Sequence, residues 1–186
     1  MIEIEKKVLL NDSARASLDS YMRKHASVWG EVRGEADRYY RAAGFRNRVQ
    51  TASDYLARVR VRSGTATLNL KKLSDQPGVI IEHETLVGSA LEAEAILTLL
   101  GAEFACSITK QRRTARVEGV ELLLDEIEEL GPYLELSIEA ERLEDAGSAL
   151  ERIDCLLKEL GVSDVELRGY PDIVLEQQGV VFDRIR

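Results

Sequence analysis

At 186 residues and 45% apolar content the chain can enclose one sizeable core, and it holds no apolar run long enough to span a bilayer. Its net charge of −8 argues against a broad nucleic-acid surface, which requires a basic patch or stripe. Cys106 and Cys155, in no metal-like spacing, supply no disulfide framework, and MIEIEKK lacks the apolar stretch of a secretory signal, so one soluble, cytoplasmic domain over residues 1–186 is expected.

Residues 2–10 read as a strand. Residues 11–28 read as a helix, capped by Asn11 or Asp12, with Leu18, Tyr21, Met22 and His25 at helical spacing. Strand-like runs follow at 37–41, 55–62, 66–72 and 79–86, and Ser63-Gly64 fits a short hairpin turn. Ser89 with Glu92 makes a capping box for a helix ending near Gly101, whose apolar positions are Leu91, Ala95, Ile96, Leu99 and Leu100. Strands are expected at 107–118, 120–126 and 133–141, with turns at Gly119 and at Gly131-Pro132. A helix over 144–160, stopped by Gly161, carries Leu150, Ile153, Leu156 and Leu157, and Pro171 opens a short final helix. Short turns between neighbouring strands imply antiparallel pairing.

Side chains two apart on a strand share a face. That rule groups Glu3, Glu5 and Lys7 against Ile2 and Ile4, and Arg58, Arg60 and Arg62 against Val59 and Val61. It also groups Thr67, Asn69 and Lys71; Glu82 and Glu84; Lys110, Arg112, Thr114 and Arg116; Glu121, Leu123 and Asp125; and Tyr133, Glu135 and Ser137. An open sheet with one wet face is the common antiparallel solution. Here the charges are sorted by sign, with bases gathered in 58–72 and 110–116 and four acids in 125–129. Helices with apolar stripes need an apolar sheet face to cover, so the charged faces are expected to look inward in a closed sheet with a wet lumen. Paired carboxylates are hard ligands for magnesium or manganese, and Arg and Lys bind phosphate oxygens. Acids on one wall and bases on another would hold a metal-bridged polyphosphate between them.

The same residues resemble a known family. Glu3-Ile4-Glu5-Lys6-Lys7 is similar to the Glu-x-Glu-x-Lys signature of the CYTH superfamily, the triphosphate tunnel metalloenzymes. Ala57-Arg58-Val59-Arg60, Thr67-Leu68-Asn69-Leu70-Lys71, Glu82-His83-Glu84 and Lys110-Gln111-Arg112 resemble its later strands in order. Leu123-Leu124-Asp125, Leu130-Gly131-Pro132-Tyr133-Leu134-Glu135 and, more loosely, Arg168-Gly169-Tyr170 extend the likeness to about residue 175. The resemblance implies an α+β fold: an eight-stranded antiparallel β-barrel tunnel with helices packed outside. It implies Mg2+ or Mn2+ as cofactor. Glu3, Glu5 and Glu135 would be metal ligands, helped by Glu82, Glu84 and Asp125. Arg58, Arg60, Lys71, Lys110 and Arg112 would bind the triphosphate, and Lys7 would be the catalytic residue beside the attacked phosphorus.

Departures from the family pattern are Arg41, where many members have an aspartate, and Ser137, where many triphosphatases have a second glutamate. The His-Phe that class IV adenylyl cyclases often carry ahead of Glu-x-Glu-x-Lys is not found before Glu3. Hydrolysis of inorganic or organic triphosphates is the first expectation, cyclisation of ATP to cyclic AMP and pyrophosphate the second, and non-catalytic binding of polyphosphate or a nucleotide the third. The expected partner is a small triphosphate (inorganic triphosphate, thiamine triphosphate or ATP), with no nucleic acid and no membrane, and a homodimer left open. His25, His83, Cys106 and Cys155 are expected to be structural, Trp29 to pack beneath the first helix, and Arg62, Arg113 and Arg116 to lie at the rim or in solvent.

Overall fold

The computed structural model describes residues 1–25, 27–51, 54–74, 76–162 and 164–183. The elements run β1 (Ile2–Leu9), α1 (Asp12–Lys24), β2 (Arg33–Ala42), β3 (Leu56–Arg62), β4 (Thr65–Leu73), β5 (Val79–Val87) and α2 (Ala90–Leu99). They continue with β6 (Ala102–Val117), β7 (Val120–Ile127), β8 (Gly131–Ala140), α3 (Ala146–Glu159), β9 (Val165–Glu166) and α4 (Tyr170–Gln177). Short 3-10 turns at Phe45–Asn47 and Leu143–Asp145 complete the set.

Local chemistry sets several boundaries. The Asn11 side chain accepts from the Ala14 N–H and opens α1, and Ser89 accepts from the Glu92 N–H and opens α2. Ser63 and Gly64 both have positive φ, as do Glu118 and Gly119, so the β3–β4 and β6–β7 hairpins turn through pairs of left-handed residues. Three expectations are corrected. The first helix ends at Lys24, not residue 28, with the His25 N–H bonding back to Tyr21 and its ring stacked 4.2 Å from that of Tyr21; Ala26 lies outside the described residues. β2 starts at Arg33 and β6 at Ala102, each several residues before the runs expected from sequence at 37–41 and 107–118.

All strand pairs are antiparallel, in the order β5-β4-β3-β2-β6-β7-β8-β1, and β1 pairs back to β5, so eight strands close into a barrel. The closing seam is short. Ile2, Glu3 and Ile4 face Ile81, Ile80 and Val79, and the Glu5 N–H adds a 2.9 Å bond to the Gly78 carbonyl. Past that point β1 passes its edge to β9, through Lys7 against Glu166 and Val8 against Val165.

Alternation then decides what lies inside. Outward residues of β1, β7 and β8 (Ile4, Val8, Leu122, Leu134, Leu136) pack under α1 and α3 with Leu18, Met22, Ile153 and Leu156, and Trp29 joins the edge of that cluster. Tyr40, Ala57 and Val59 are covered by α2 through Ala93. A third cluster lies within one end of the barrel, where the inward Tyr39, Ile108, Ile127 and Tyr133 meet Tyr170, Ile173 and Val174 of α4. The tunnel is therefore stopped at that end. Cys106 is buried there, whereas Cys155 is exposed on α3, against the expectation that both cysteines pack. Among the described residues no helix is long and apolar enough to cross a membrane.

Gly78 has φ +79°, and a Cβ there would lie 3.1 Å from the Glu5 carbonyl oxygen. Gly78→Ala is expected to strain the seam and cost about 1–3 kcal/mol. Urea unfolding checks this, and an unchanged midpoint would show that the seam tolerates a side chain.

Candidate active site in the lumen

The stopped end places the inward charges in a bowl. Glu3, Glu5 and Lys7 of β1, Glu82 of β5 and Glu135 of β8 line one side, and the carboxylate oxygens of Glu3, Glu5 and Glu135 lie within 4.8 Å of one another. The Lys7 ammonium donates to Glu5 and stands 3.8 Å from Glu135. Lys71 of β4 bonds Glu3 at 2.6 Å and lies 3.1 Å from Glu82. Glu84 stands higher, at the mouth, 3.2 Å from Arg58.

Arg58 and Arg60 of β3, and Lys110 and Arg112 of β6, line the other side. Arg60 grips Asp37 with two bonds of 2.6 and 2.7 Å and lies 3.2 Å from Glu35. Arg112 grips Asp125 in the same fashion at 2.6 and 2.5 Å and reaches Glu135 at 3.5 Å. Lys110 lies 3.4 Å from Glu35 and 3.8 Å from Asp125, and the Tyr170 hydroxyl donates to Asp125 at 3.0 Å. Every predicted site residue thus faces the lumen. Glu82 borders the acidic trio through Lys71, whereas Asp125 is committed to Arg112 and Tyr170.

The basic side is not purely basic. β2 threads Glu35 and Asp37 between the arginines, with 2% and 1% exposure, so the expected wall of bases is divided by two buried acids. Glu35 lies ahead of the run read from sequence, which begins at Asp37, and Asp37 itself was not grouped with the inward charges. The period-two series Glu35, Asp37, Tyr39, Arg41 could have found them. Tyr170 was read only as a loose terminal match, yet its ring lies 5.5 Å from the Lys7 ammonium and 5.4 Å from that of Lys110. Arg41 turns toward the stopped end, where it pairs with Asp172 of α4 and lies over the Phe182 ring. Ser137, the departure noted in the sequence, is buried directly across from Glu5 and offers a hydroxyl there.

The pKa directions follow this geometry. Burial, reinforced by neighbouring carboxylates, pushes Glu3 and Glu5 up despite Lys71 and Lys7. Burial would also raise Glu135, but Arg112, Lys7 and Lys110 together hold it well below the usual carboxylate range. The Arg60 grip does the same for Asp37 against its burial. Burial would lower Lys7, but Glu5 and Glu135 outweigh it and keep the ammonium charged. Lys110 goes the other way: burial and the adjacent Arg112 bring it down to about 8. Two buried glutamates pushed up by burial, with a third carboxylate beside them, would gain from a small divalent cation among the three carboxylate oxygens.

Comparison with known proteins agrees with this architecture. The family model described as the CYTH domain matches residues 1–170. The PH1819 protein of Pyrococcus horikoshii is 25% identical, with a TM-score of 0.75 over 94% of this chain and 99% of its own. A candidate adenylate cyclase of Vibrio parahaemolyticus is 18% identical, with a TM-score of 0.71 over 94% of this chain and 98% of its own. A candidate adenylyl cyclase of Hippeastrum, described as having a dominant triphosphatase activity, is 21% identical, with a TM-score of 0.59 over 97% and 96%. At 18 and 21% identity the likeness is one of fold. No curated protein matches by sequence.

Asp37→Asn removes one partner of a buried two-pronged pair and is expected to cost about 2–4 kcal/mol at pH 7. Because the folded Asp37 is held below its unfolded value, its contribution is present above about pH 4 and is lost as pH falls through the folded value. Urea midpoints of both proteins should differ at pH 7 and converge in stronger acid; a constant gap would show that the charge of Asp37 is not what stabilises.

Proposed function

The chain belongs to the CYTH domain family, and from that premise we propose that it is a metal-dependent hydrolase of inorganic or small organic triphosphates. The observation that carries this reading is the acidic trio with Lys7 between two of its members, facing Arg58, Arg60 and Arg112 across a bowl stopped at one end. The three carboxylates fit Mg2+ or Mn2+, both hard cations that take oxygen ligands. When bound, such a cation would neutralise charge on the phosphate oxygens.

The protein's own residues supply the rest. Arg58, Arg60, Lys71, Lys110 and Arg112 bind the phosphate oxygens, and the guanidinium groups are already oriented by Asp37, Asp125 and Glu84. Such fixed donors need little reorganisation when charge develops. Lys7 stays protonated at Nζ, so its role is to donate a hydrogen bond that holds the attacking water or an oxygen of the terminal phosphoryl group, not to remove a proton. The burial of Lys7 and of Tyr170 behind it keeps bulk water from that point.

The mouth is a cavity of about 410 Å³ whose lining includes Arg33, Arg60, Arg62, Thr67, Glu84 and Leu86; its three arginines can meet phosphate oxygens, which both readings require. Cyclisation of ATP is the second reading, favoured by the hydroxyl of Ser137 next to Glu5.

Incubation with Mg2+ or Mn2+ and triphosphate, thiamine triphosphate or ATP separates the two. Inorganic phosphate released from triphosphate is expected; cyclic AMP with pyrophosphate as the main products from ATP would replace hydrolysis by cyclisation. Glu5→Gln should abolish metal-dependent turnover in a folded protein. Lys7→Ala should lower kcat roughly 100-fold or more with a smaller change in KM, and a loss confined to KM would contradict the positioning role.

A further inference from the structure

α2 is apolar on nearly every side, and helices of that kind are buried helices. Only one side of this one is covered. Ala93 turns onto the barrel against Tyr40, Ala57 and Val59, with Leu97 beside it. The positions read from sequence as core-facing are instead the solvent face: Leu91, Ile96, Leu99 and Leu100 are 77%, 53%, 87% and 79% exposed, and Ala95 is exposed among them. Together with the half-exposed Phe104 they present on the order of 500 Å² of apolar surface, as large as the biggest patch on a typical monomer and as the apolar part of one side of a standard interface.

We propose that this stripe is the two-fold interface of a homodimer, in which α2 packs antiparallel against α2 of a second copy and crosses it at Ala95. The sequence of the stripe is self-complementary. Leu91, Ala95 and Leu99 are four apart and lie along one line of the helix, reading large, small, large in either direction. A two-fold axis at Ala95 sets the small residues together at the crossing and places Leu91 against the partner subunit's Leu99, as an isologous contact requires. The same axis puts Glu92 opposite the partner subunit's Thr98, not opposite another Glu92, so no like charges meet. The second acid of the helix, Glu94, is already held by Tyr40 at 2.8 Å and Arg38 at 2.9 Å on the barrel side. A membrane-surface helix would carry Lys or Arg on its polar face; the charged residues of α2 are both acidic, which favours a protein partner.

Sedimentation equilibrium across the micromolar range is expected to give about twice the 20.8 kDa mass of one chain. Leu91→Glu combined with Leu99→Glu should give a folded monomer by circular dichroism, with the dimer dissociation constant raised roughly 100-fold or more. In a Cys155→Ser background, Ala95→Cys should form a disulfide between copies on mild oxidation, which tests the crossing point without a disruptive charge. A wild-type monomer throughout the range, a dimer that survives both glutamates, or the absence of the Ala95→Cys cross-link in a dimeric protein would each overturn the proposal.

Discussion

Closing the sheet through the β1–β5 seam commits the charged face of every strand to the interior. An open sheet could leave Glu5, Lys7, Arg58, Arg60, Lys110 and Asp125 in water; the barrel buries each of them to less than a tenth of its surface. Isolated buried charges are prohibitive, so each must be answered by an opposite charge within hydrogen-bond reach. The apolar clusters outside and the ion pairs inside are two results of the same alternation. The helices supply the burial energy that makes closure favourable, and closure then concentrates the charge.

That concentration is uneven in a useful way. On the side of β2, β3 and β6, Glu35, Asp37 and Asp125 hold the guanidinium groups in fixed orientations. On the side of β1 and β8, three carboxylates crowd together, Glu3 and Glu5 are pushed up by burial, and Lys7 bridges Glu5 and Glu135. Only the second side is poised to gain from an added cation, and only the first is poised to meet an anion. α4 completes the arrangement by stopping one end with Tyr170, held by Asp125 from within and anchored by the Arg41–Asp172 pair. A ligand must therefore enter from the mouth beside Arg33 and Arg62.

Much of this was legible in the sequence because period-two alternation is a direct record of which face a residue occupies. The inward series of β1, β3, β5 and β8 needed nothing else. Glu35 escaped because β2 opens with Arg33 and Gly34, residues without strand character, and Asp37 was not grouped by face because the outward Gly34, Ala36 and Arg38 give no apolar alternation. β9 is two residues long and exists only because the β1 edge lies open beyond the seam, a tertiary fact. The stopped end was hidden for a similar reason: the α4 stripe shows that it packs, but not that it packs inside the barrel. α2 misled in the opposite sense, since its stronger apolar stripe faces outward and the smaller Ala93 faces the barrel.

The central claim is that the lumen holds a divalent cation and a triphosphate between its two sides. Diffraction at the manganese absorption edge, from crystals grown with Mn2+ and inorganic triphosphate, tests it most directly. An anomalous peak coordinated by Glu3, Glu5 and Glu135, with the phosphates against Arg58, Arg60 and Arg112, is the expected result. Manganese bound elsewhere, or phosphates held outside the barrel, would contradict the account.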